Sequence, residues 1–90
     1  MEYKKFYMQL GEIIGYIEEK KDEDAENTLR KFGIEFDKQF HREKNNSVYC
    51  EYDRCRQSCA MALGLMIQGF PSREECIENA RKIYSELPSQ

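Results

Sequence analysis

From Tyr3 onward, apolar residues return every three or four positions: Tyr3, Phe6, Tyr7, Leu10, Ile13, Ile14 and Ile17. At 100° per residue they fall within about 120° of arc, the width of a core-facing helical stripe. This predicts a first helix over about 3–20. Gly11 and Gly15 lie inside it, off the stripe. Each costs roughly 1 kcal/mol relative to alanine, so the pair marks either a close approach by another helix or a tolerated weakness. A second stripe, Ala25, Leu29, Phe32, Phe36 and Phe40, predicts a helix over about 23–43, with Asp22 or Asp24 as N-cap. Ile34 lies on its opposite side and Gly33 adjoins the stripe.

Lys44-Asn45-Asn46-Ser47 reads as a turn with capping residues. A third helix is then expected over about 47–68, with Val48, Tyr52, Cys55, Cys59, Ala62, Leu63 and Met66 facing the core. After Ala60 the run AMALGLMI is apolar nearly all round, and such a helix is buried on several sides. In a chain this short, that makes it either the central helix of a bundle or a surface covered by a second subunit. The second choice names Met61, Gly64 and Leu65 as self-association residues. Gly69-Phe70-Pro71 should end this helix, and Ser72-Arg73-Glu74-Glu75 is a capping box. A fourth helix follows over about 72–87, carrying Cys76, Ile77, Ala80, Ile83, Tyr84 and Leu87, with Pro88 as its stop. No period-two alternation appears anywhere. The expected fold is all-α: one domain, residues 1–90, folded as an antiparallel bundle of about four helices.

Composition supports a folded domain. The chain has 90 residues, 12 % aromatic and 34 % charged, with two prolines and five glycines. Such a length makes one domain with a modest core. No apolar run approaches the roughly 18 residues needed to span a bilayer. Two lysines precede an apolar stretch near the start, but Gln9 and Glu12 interrupt it and no small-residue cleavage site follows, so a secretory leader is not expected. The expected location is the cytoplasm, where thiols stay reduced.

All four cysteines fall between residues 50 and 76. Cys55 and Cys59, four apart, share one helix face. In a hairpin turning near residue 70, Cys76 falls opposite Gly64, roughly 7.5 Å along the axis from Cys59. Three sulfurs so placed cannot meet one zinc at about 2.3 Å each. These three cysteines therefore read as small buried hydrophobes. Cys50 points away from the core face and falls opposite His41, the single histidine. That pair is half a metal site or a thiolate–imidazole couple, with no third, orienting group visible. No cofactor is expected. The glycines are isolated, so there is no phosphate-cradling loop, and no nucleophile–base–acid order can be drawn. An enzyme is not expected.

Charge is the remaining clue. The net charge is −3, and no compact Lys/Arg run exists, so nucleic acid is not the expected partner. In an up-down bundle, Glu18, Glu19, Asp22, Glu23, Asp24 and Glu26 gather at one end with Glu74, Glu75 and Glu78, offset by Lys20, Lys21 and Arg73. The other end is mixed and mildly basic, and Arg81 is counted there. Acid at helix N-termini is ordinary dipole chemistry, but Glu18 and Glu19 end a helix. The leading expectation is a non-catalytic interaction module that docks this acidic end on a protein with a basic surface, with Tyr16 as aromatic anchor. The alternatives are a small-ligand or nucleotide-binding helical oligomer using Tyr49, Tyr52 and Arg56, and a metal or redox protein using Cys50 and His41. In general character, small, acidic and without a catalytic motif, the chain resembles the short accessory proteins of phages and mobile elements. That resemblance implies binding and blocking of a host protein.

Overall fold

Four helices form where the stripes predict them: α1 (Lys4–Glu18), α2 (Asp22–Phe40), α3 (Ser47–Ala62) and α4 (Arg73–Ser85). The computed structural model describes residues 3–42, 46–67 and 72–88. The helices run up, down, up and down. Tyr3 at the start of α1 stacks on Phe40 at the end of α2 and on Tyr52 early in α3. Tyr7 stacks on Tyr84 near the end of α4, with ring centroids 4.5 Å apart. At the opposite end, Arg73 of α4 meets the last turn of α1 and the first residue of α2. The antiparallel four-helix bundle is the fold, and each predicted stripe of α1 and α2 faces its core.

One half of the core is aromatic. Phe36 packs against Phe6, Phe32, Phe40, Tyr49 and Tyr52, with centroids between 4.9 and 5.8 Å. Edge-on and stacked pairs of this kind contribute about 0.5–1.5 kcal/mol each beyond the area they bury. Tyr52 is fully buried, and its hydroxyl donates to the carbonyl of Pro88, which holds the segment after α4 against α3. The other half is filled by Ile13, Ile17, Ala25, Leu29, Cys59 and Cys76.

Helix ends depart from the sequence reading. α3 does not run to residue 68: it stops at Ala62, and residues 63–67 are not helical. Gly64 takes a left-handed φ of 74°. Its N–H bonds to Met61 O, and the N–H of Leu65 bonds to Ala60 O. This is the six-to-one and five-to-two pairing that closes a helix on a glycine. The apolar run masked the stop, because Gly64 sits inside AMALGLMI with no polar neighbour. Met66 is consequently exposed rather than in the core, while Tyr49 and Ser58 are buried there instead. Val48 and Leu63 are half-buried. The predicted end at Gly69-Phe70-Pro71 lies outside the described residues.

α1 closes in the same way on a residue that resists it. Lys20 has φ 61°, and Lys21 N bonds to Tyr16 O. α2 then begins from Lys21, which makes no side-chain cap. The expected N-cap role of Asp22 or Asp24 is not realised, because Asp22 is already the first helical residue. α2 ends at Phe40, three residues early, and Glu43 lies outside the described residues. The caps predicted at α3 and α4 are present: Asn46 accepts from Val48 N, and Ser72 accepts from Glu75 N.

The two internal glycines of α1 divide. A Cβ on Gly11 would lie 2.5 Å from the Tyr84 hydroxyl oxygen, so the glycine makes room for the tip of a ring reaching across from α4. Nothing lies within 4 Å of a Cβ at Gly15, which is a tolerated weakness.

Candidate functional site

The acidic end forms because α1 stops just before α2 and α4 begin. Asp22 receives both arms of the Arg73 guanidinium, at 2.7 and 2.8 Å. One of those nitrogens also donates to Ile17 O at 2.9 Å. A single side chain thus ties the first turn of α4 to the end of α1 and the start of α2. The hydrogen bond from Arg73 holds the Asp22 carboxyl below its ordinary range, and Asp22 in turn raises Arg73.

The remaining acids are less concentrated than the sequence suggests. Glu18 pairs with Arg81, Glu26 with Arg30 at 2.6 Å, and Glu19 with Lys21 at 3.5 Å. Arg81, assigned to the opposite end from sequence, therefore neutralises this one. Helix α4 carries it two turns from Arg73, within reach of the last turn of α1. Glu23, Asp24, Glu74, Glu75 and Glu78 form no ion pair among the described residues, although Arg73 lies near enough to Glu74 to feel its charge and Lys82 lines one hollow with Glu75 and Glu78. Glu18, Asp22 and Glu74 share a shallow groove with Lys20, Arg73, Ile17 and Ile77, so its charges are mixed. Tyr16 is half-buried against the core, so it presents less of its ring than an anchor would.

The three residues expected to bind a nucleotide do not form an open stacking face. Tyr52 is buried, and Tyr49 stacks on Phe36 while its hydroxyl donates to Asp37 at 3.1 Å. Burial, with Asp37 beside it, raises the Tyr49 phenol. Arg56 pairs with both Asp37 and Asp53. Burial lowers its pKa, but the two carboxylates outweigh burial and leave the guanidinium more firmly charged.

Cys55, Cys59 and Cys76 are buried and Cys50 is exposed; none is in a disulfide. Cys55 donates to Ala80 O at 3.5 Å. A hydrogen bond with Cys55, then burial, pushes the Cys59 thiol well up, and burial raises Cys76. Such thiols are poor nucleophiles. Exposed His41 has Nδ1 3.2 Å from Lys38 O. Among the described residues no group of three His, Cys, Asp or Glu side chains is placed to hold a metal ion. No helix among them is long and apolar enough to cross a membrane.

Sequence reading did not find the cleft between α2 and α3. It is lined by Leu29, Gly33 and Ile34 of α2 and by Gln57, Ala60 and Met66. Ile34 is 71 % exposed and Ile67 92 %, and Leu65 and Met66 are also exposed. The available signal was Ile34 opposite the α2 stripe, beside Gly33. Of the residues named for self-association, Met61 is half-buried against the core, Gly64 is exposed at the helix end, and Leu65 is exposed. No protein-family model, curated protein or solved structure matches the chain.

Proposed function

We propose that the protein is a small non-catalytic interaction module whose acidic end docks on a basic surface of another protein, in the manner of an inhibitor or accessory subunit. The observation that supports this is the set Glu23, Asp24, Glu74, Glu75 and Glu78. They stand on the first two turns of α2 and α4 at one end of the bundle, and none of them is in an ion pair among the described residues. Opposite potentials accelerate encounter and set register. Asp22 and Glu18 serve the fold instead, through Arg73 and Arg81.

The test compares wild type with the variant E23Q/D24N/E74Q/E75Q in a nuclease-treated pull-down from the protein's own cells. The variant keeps the Asp22–Arg73 contact and the Ser72 cap, so it should fold. Its circular dichroism melt verifies that. A stoichiometric partner captured by wild type, released by raised salt and lost with the variant supports the reading. A partner held equally by both, or wild type recovered alone, removes it.

A further inference from the structure

α1 packs on α2 and α3 on α4 along their lengths, while α2 and α3 meet less closely. Leu29, Gly33 and Ala60 form the floor of the cleft between α2 and α3, and exposed Ile34 and Met66 stand at its lips. Leu65 and Ile67, either side of Met66, are exposed too. An unbranched methionine can reshape such a lip around what it meets.

The acidic end runs into this cleft. Glu23 and Glu26 precede Arg30 by seven and four residues, so they continue the cleft wall of α2 towards its first turn. Glu23 is exposed and in no ion pair among the described residues. On the two walls, Arg30 and Arg56 therefore stand against Glu23, Glu26, Asp37 and Asp53, two cations against four carboxylates. Lys31 and Lys38 lie about 180–200° round α2 from Leu29, beyond the lip at Ile34.

We infer, resting on the acidic docking proposed above, that the cleft receives one basic amphipathic helix of the partner. Its apolar face would lie on the floor, and its lysines or arginines along Glu23 and Glu26. The charge excess selects the basic sign. The walls select the helix. α2 and α3 bond their own backbone groups, and no strand edge borders the cleft among the described residues, so an extended segment would find no ladder to join. A helix satisfies its own backbone and brings only side chains. Length agrees: from Leu29 to Asp37 the α2 wall runs about 12 Å, two turns, which is the spacing of anchors at i, i+3 or i+4, and i+7.

The probe is a synthetic helix of leucine and lysine, about 18 residues long and apolar along one face. Its binding to the full untagged chain is read by fluorescence anisotropy beside two relatives. Alanine replaces leucine in one, and glutamate replaces lysine in the other. Only the leucine–lysine peptide should bind, and raised salt should weaken it. Gly33→Leu fills the floor. A Cβ there meets only Arg56 Nη1, the flexible end of a side chain, at 3.4 Å, and leucine has the higher helix propensity, so this variant should melt no lower than wild type. It should bind the peptide about tenfold more weakly or worse, and Glu23→Gln about twofold more weakly. Gly33→Leu binding as tightly as wild type, or alanine–lysine binding as well as leucine–lysine, overturns the helix in the cleft and leaves the acidic docking standing. Leucine–glutamate bound equally well, or no peptide bound at all, overturns it too. In the pull-down, a partner lost with the acidic variant but kept by Gly33→Leu upholds the docking alone, and wild type recovered alone removes both.

Discussion

The two halves of the core solve the same problem with different materials. Where α1 and α3 begin, Tyr3, Phe6, Phe36, Phe40, Tyr49 and Tyr52 interlock as rings. Where α1 ends and α4 begins, aliphatic side chains, alanines and thiols fill the space. Rings have faces and edges, so each constrains the angle of its neighbour. Small thiols and methyl groups constrain volume alone. The aromatic half therefore sets how the helices cross. The thiol half is held by its termini: Arg73 across three segments, Gly64 and Lys20 at two helix ends.

Breaking that contrast should give the largest effect. Phe36→Ala removes a ring with five aromatic neighbours and should cost about 3–5 kcal/mol, a large share of such a domain's stability. Cys59→Ala, equally buried but in the thiol half, should cost only about 1 kcal/mol. Urea unfolding of both reads the difference; equal losses would refute the contrast.

Lys20→Gly acts on the thiol half in the opposite direction. A non-glycine residue in the left-handed region costs about 1 kcal/mol, and the φ of 61° invites its removal. The variant should be more stable by about 0.5–1 kcal/mol, visible as a melting point raised by several degrees.

The two halves should also fail at opposite ends of the pH scale. The folded Asp22 carboxyl is lowered by Arg73. Its stabilisation is therefore fully present above the unfolded value of about 3.9 and is lost as pH falls through the folded one. Asp22→Asn should lower the melting point at pH 7 and converge with wild type in acid. Burial and a hydrogen bond with Tyr7 push the Tyr84 phenol up to about 12. That contribution is present below the unfolded value of about 10 and is lost as pH rises through the folded one. Tyr84→Phe should shift alkaline unfolding upward in pH. A variant that leaves its own arm of the curve unchanged would show that the contact is not felt.

The gentlest probe changes no residue. A thiol reagent should modify Cys50 promptly in the native protein and reach Cys55, Cys59 and Cys76 only as the bundle opens. Four thiols reacting together would mean that the thiol half breathes freely.

The helices and most of the core were legible because the stripes of α1, α2 and α4 repeat without interruption. Tyr49 stands about 60° round α3 from Tyr52, at the edge of the stripe, and the core reaches that far because Phe36 stacks on its ring and Asp37 satisfies its hydroxyl. The end of α3 was missed because Gly64 carries no signal of its own within an apolar run. Arg81 belongs by position to the half of α4 nearer the basic end, but its long side chain reaches beyond its own turn to Glu18. The cleft between α2 and α3 was invisible for a related reason. It depends on how closely two helices approach, which periodicity within either one does not encode.

Arg73 also bears on the order of events during folding. Its contacts with Asp22 and Ile17 join residues 51 and 56 positions apart, whereas the α1–α2 and α3–α4 hairpins assemble from near neighbours. Closing so long a loop comes late. A contact absent from the transition state leaves the folding limb of a chevron plot in place and steepens nothing there; its loss appears as faster unfolding. Removing the fork with Arg73→Ala should therefore speed unfolding and leave the folding rate nearly unchanged.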